Sequence, residues 1–90
     1  MVKDKTLVRA MEGIVVRQGV QVRWERGAFQ GGRCTLDGQE IIILNQRLPV
    51  EAHLRVLAGL ISPEALNAAS LRPAVRTAVE DLIKKMSDAA

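Results

Sequence analysis

Residues 31–45, GGRCTLDGQEIIILN, govern how the rest of the chain is read. Asp37-Gly38 stands between two apolar stretches and supplies the two consecutive positive φ angles that a two-residue type I′ hairpin turn demands. Ahead of it, Cys34 and Leu36 alternate with Arg33, Thr35 and Asp37, which predicts a short strand with Cys34 and Leu36 turned into the core. After it, a strand runs from Gln39 or Glu40 to Leu44. Ile41 and Ile43 point to one side and Ile42 and Leu44 to the other, so both of its faces call for cover, by helices of the same chain or by a partner.

Upstream, Val20, Val22 and Trp24 alternate with Gln21, Arg23 and Glu25, the pattern of a half-buried strand, and the glycine-rich stretch 26–32 reads as a loop. Residues 4–18 carry Leu7, Met11, Ile14 and Val15 on one helical face. Asp4 is placed to cap this helix and Gly19 to stop it. Downstream, Val50, Leu54, Leu57 and Ile61 follow the spacing of an amphipathic helix, with Pro49 suited to its first turn. Ser62-Pro63-Glu64 joins a capping hydroxyl, a first-turn proline and an early acid, and a further helix starts near Pro73. Val75, Val79, Leu82 and Met86 mark its inner face. The expectation is one α+β domain over residues 1–90: an N-terminal helix (4–18), a three-stranded antiparallel meander (20–44), and two or three helices (50–86) packed on the sheet.

Ninety residues with 48% apolar content make a foldable chain with a thin core, and only Trp24 and Phe29 are aromatic. Thirteen basic and ten acidic residues give a net charge of +3. The excess lies in residues 1–30, where Lys3, Lys5, Arg9, Arg17, Arg23 and Arg26 face Asp4, Glu12 and Glu25. Arg23 and Arg33, in outward strand phase, and Arg26 between them are the candidate contacts for an anion such as nucleic acid. No aromatic shares that phase to stack on bases, so a solvated basic face is the simpler reading.

Cys34 is the sole cysteine and His53 the sole histidine, too few ligands for a zinc site in one chain. They are also the only conceivable thiol–base pair, and an inward Cys34 would be inert. Gly31-Gly32 leads into a strand rather than a helix and lacks the Lys-Ser/Thr ending of a phosphate loop. No cofactor site is expected. Lys3, Asp4, Lys5, Arg9 and Glu12 interrupt any apolar signal segment, the longest apolar run cannot span a membrane, and no disulfide can form within the chain, so a cytoplasmic protein is expected.

The stretch 31–61, with its Gly-Gly-x-Cys strand, Asp-Gly turn, Ile-Ile-Ile-Leu-Asn, Leu-Pro and amphipathic helix, resembles small uncharacterised bacterial proteins. More distantly it is similar to the core of zincin-like metallopeptidase domains, where an apolar-apolar-Asn strand leads into the helix bearing His-Glu-x-x-His. The window for that motif, Ala58-Gly59-Leu60-Ile61-Ser62, holds neither His nor Glu. The resemblance thus implies a zincin-like scaffold without metal ligands, and no functional residue carries over. The functional expectation is a non-enzymatic interaction or assembly domain, a homodimer or the binder of a protein partner. Ile42, Ile43, Leu54 and Leu57 are its candidate surface, and nucleic-acid association through the basic third is the alternative.

Overall fold

The strand apolar on both sides takes the centre of the sheet. In the computed structural model, which describes residues 1–88, the order is α1 (Asp4–Arg17), β1 (Gln21–Glu25), β2 (Gly32–Leu36), β3 (Gln39–Asn45), α2 (Val50–Ala58), α3 (Pro63–Ala68) and α4 (Pro73–Asp88). The α+β class and the element order are as expected. The sheet is not an antiparallel meander: its order is β1-β3-β2, with β1 parallel and β2 antiparallel to β3. The most apolar strand thereby gains a neighbour on each side, and β1 and β2 become the edges.

The β2–β3 hairpin has the expected turn. Asp37 and Gly38 have φ of 52° and 79°, and Leu36 pairs with Gln39 across them. A Cβ at Gly38 would meet nothing within 4 Å, so the cost of a side chain there is purely that of the left-handed backbone. Gly38→Val is expected to destabilise the protein by about 1–2 kcal/mol, which thermal melting would register as a drop of several degrees. Melting unchanged from wild type would contradict the turn geometry.

The sheet's helix-covered face carries Val22 and Trp24 of β1 and Ile42 and Leu44 of β3. They share one core with Leu7, Val8, Met11 and Val15 of α1, Leu54 and Leu57 of α2, and Val79 of α4. α1 lies on β1 and against α2, whereas α3 packs on α1, and α4 on α1 and α2. The last two helices therefore cover the first two rather than the sheet. Strand alternation puts Gln21, Arg23, Glu25, Ile41, Ile43, Cys34 and Leu36 on the other face, outside this core.

Local caps divide between expected and new. Ser62 Oγ accepts from the Ala65 N–H at 3.1 Å, as its position before Pro63 implies. Asp4 does not cap α1: Lys3 holds the N-cap position without a side-chain bond, and Asp4 sits in the first turn, where its charge favours the helix dipole. α1 is instead tied at its C-terminal end. Gln18 donates from Nε2 to Leu60 O at 2.8 Å and accepts at Oε1 from the Ser62 N–H at 2.9 Å. One amide thus fastens the end of α1 to the segment joining α2 and α3.

Candidate interaction surface

Because β3 lies between β1 and β2, the chain must pass over its C-terminal end to get from one edge to the other. Residues 26–31 make that passage, and Asn45, the last residue of β3, holds them. Its side-chain amide donates to Gly27 O at 2.8 Å and to Phe29 O at 2.6 Å, while its Oδ1 accepts from the Arg47 N–H at 3.0 Å. Its backbone oxygen accepts from Leu48 N–H at 3.1 Å and from His53 Nε2 at 2.7 Å. Every hydrogen-bonding group of this amide is used, and the residue is 2% exposed. Gly31 ends the passage at φ 86°, with the position of a Cβ only 2.7 Å from Ile43 O, so the backbone approach there admits glycine alone.

His53 is buried in this arrangement rather than solvated on its helix. A carbonyl acceptor requires the proton on Nε2, and the ring meets Trp24 edge-on with centroids 5.0 Å apart. Trp24 in turn donates Nε1–H to the Glu12 carboxylate at 3.2 Å. The chain Glu12–Trp24–His53–Asn45 ties α1, β1, α2 and β3 together at one end of the sheet. Asn45 and Trp24 are the residues that sequence reading passed over here. An asparagine after a strand reads as a turn former, and its reach back to the 26–31 loop leaves no local signal.

Cys34 is exposed, on the face opposite the core, whereas His53 lies on the helix side. The sheet separates them, so no thiol–imidazole pair forms. The phase linking Cys34 to Leu36 was sound. The side is the opposite one, because Cys34 pairs with Ile41 and so lies on the face away from Ile42 and Leu44, which meet the helices. Among the described residues, no three His, Cys, Asp or Glu side chains gather as metal ligands.

The three candidate arginines do not form one patch. Arg23 pairs in register with Ile43 and Arg33 with Ile42, so they lie on opposite faces of the sheet, with Arg26 in the loop between the edges. Arg33 is bonded to Glu40, and Arg23 lies 3.7 Å from Glu25. Of the candidate apolar surface, Ile42 (1% exposed), Leu54 and Leu57 (0%) are core residues, taken up by α1 and α4. Ile43 alone is left half-buried on the open face.

What stays uncovered is the β2 side of the molecule. All five residues of β2 are exposed, and Leu36 is 59% accessible. Between β2–β3 and α2 runs a groove of about 540 Å³, with Ile42, Leu44, Ala52 and Val56 in its walls and Arg33 and Arg55 among its polar groups. No described helix is long and apolar enough to cross a membrane. The sequence matches no family model, and no curated protein or solved structure matches it.

Proposed function

We propose that this chain is a non-enzymatic assembly domain that self-associates through the β2 side of its sheet. One observation carries the reading: β2 is exposed along its whole length, between an aliphatic groove on one face and Ile43, Cys34 and Leu36 on the other. An edge of this kind presents unpaired backbone groups, and natural edges are usually blunted by charge, proline or a covering loop. β2 has one charge, Arg33, already paired with Glu40. The separation of Cys34 from His53, and the commitment of His53 to a backbone carbonyl, support a scaffold rather than a catalyst. The sequence of strand, Asn45, Leu48-Pro49 and helix supports the same reading, a zincin-like core put to structural use.

Sedimentation equilibrium at micromolar concentration is expected to show a dimer that persists at about half-molar salt, because salt screens exposed ion pairs and leaves aliphatic burial intact. A monomer throughout that range would refute self-association.

A further inference from the structure

Building on that reading, we propose that two copies join by antiparallel pairing of β2 with β2, in register about Cys34, giving a continuous six-stranded sheet. The hairpin determines which backbone groups are free. Leu36 and Gln39 flank a two-residue turn whose central residues both have positive φ, so they form a hydrogen-bonded pair. Antiparallel pairs alternate between bonded and non-bonded, which makes Cys34↔Ile41 and Gly32↔Ile43 bonded pairs too. Arg33 and Thr35 therefore turn their N–H and C=O groups away from β3, towards the open edge.

A two-fold axis at Cys34 sets Arg33 opposite the partner's Thr35, and Gly32 opposite the partner's Leu36. The outward groups of Arg33 and Thr35 then meet one another in four backbone hydrogen bonds. A slip of one residue sets them against groups already spent on β3, and a slip of two can place Arg33 against the partner's Arg33. Side chains favour the same register. On the open face, the exposed Leu36 of each copy stands over Gly32 of the other, beside Ile43, and a Cβ at Gly32 would meet nothing within 4 Å. Each side chain thus has a vacant site opposite it. On the helix-covered face, the partner's Glu40 stands in the same cross-strand row as Arg33, one strand beyond the partner's Thr35. Two arginines and two glutamates are gathered, so the patch is neutral.

The other edge fails this test. Full-length self-pairing of β1 would set Arg23 directly against the partner's Arg23, a repulsive cross-strand pair. A five-residue edge with its flanking side chains buries less than a standard interface of about 1,600 Å², so a dimer in partial exchange with monomer is expected at micromolar concentration.

The register can be read chemically. The two Cys34 residues form a non-bonded cross-strand pair with Cα atoms about 4.5 Å apart, within disulfide range. With diamide as oxidant, two thiols lose two protons and two electrons to its N=N bond, leaving one S–S bridge and a hydrazine. Wild-type protein is expected to give a covalent dimer. A thiol meeting its copy by chance would also cross-link, so the deciding experiment uses Arg33→Cys and Thr35→Cys, each in a Cys34→Ser background, mixed in equal amounts. Positions 33 and 35 face each other across the dyad, whereas two copies of position 33, or of 35, are diagonal and about 7–8 Å apart. Mixed disulfides should exceed like pairs by about tenfold or more.

Thr35→Pro removes two of the four outward bonds while leaving the β2–β3 ladder intact. It should keep its far-ultraviolet circular dichroism and weaken the dimer by about tenfold or more. Statistical cross-linking, or a folded Thr35→Pro protein that dimerises like wild type, would overturn β2 pairing while self-association stood. A wild-type chain that sediments as a monomer would overturn both.

Discussion

Asn45→Ala is expected to lower the unfolding free energy by about 3 kcal/mol, the cost of orphaning several buried polar groups at once. The substitution leaves Gly27 O, Phe29 O and the Arg47 N–H without the partner that now binds all three. Urea denaturation should show the midpoint falling with its slope unchanged, the signature of lost stability rather than altered compactness. Asn45→Asp should not rescue, although it has the same shape. It would turn an acceptor oxygen towards two carbonyl oxygens that need a donor. Amide exchange in residues 26–31 should rise with either variant. A loss below about 1 kcal/mol, no more than one ordinary hydrogen bond, would mean that the loop holds itself across the end of β3.

Leu57→Ala should cost a similar amount, about 3 kcal/mol, for a different reason. Leu57 is fully buried in the cluster that includes Met11 of α1 and Val79 of α4, and α2 packs against both of those helices. Three helices converge there, and α1 and α4 are each held elsewhere, so the vacated volume cannot close by a simple shift. Against the 5–15 kcal/mol typical of a folded domain, this is a large share of the total. Val56→Ala, one position along and 44% exposed, should change stability by less than about 0.5 kcal/mol. Equal effects at the two positions would show that the face of α2 has been misassigned.

The elements that sequence reading located correctly are those specified by neighbours a few residues apart. The Asp37-Gly38 turn, the cap at Ser62 and the spacing of Leu54 and Leu57 each act within one turn or one hairpin, so the residues declare them directly. Strand order is a different kind of quantity. Val22 and Trp24 alternate with polar residues whether β1 neighbours β2 or β3, so the pattern is equally satisfied by a meander and by the sheet that forms. The choice rests on Asn45, whose amide reaches back to Gly27 and Phe29, and on the advantage of centring Ile41–Leu44. The same ambiguity misplaced the candidate surface. Period-two alternation put Cys34 with Leu36, and Ile42 with Leu44, but it could not tell which pair faced the helices. Once the helices are known to cover Ile42 and Leu44, the register of β2 on β3 places Cys34 and Leu36 on the outer face.

The parallel pairing of β1 with β3 bears on the order in which the chain is made. Synthesis proceeds from the N-terminus, so α1 and β1 leave the ribosome before β3, the strand to which β1 bonds. β2 follows and is no help, since the two never touch in the finished sheet. Only when Gln39–Asn45 has emerged can the local β2–β3 hairpin close, and hairpins close in microseconds, faster than the next residue is added. The side of β3 that the hairpin leaves open is the one β1 must find. A nascent chain halted before residue 39 holds a helix and two strands that have no bonds to exchange.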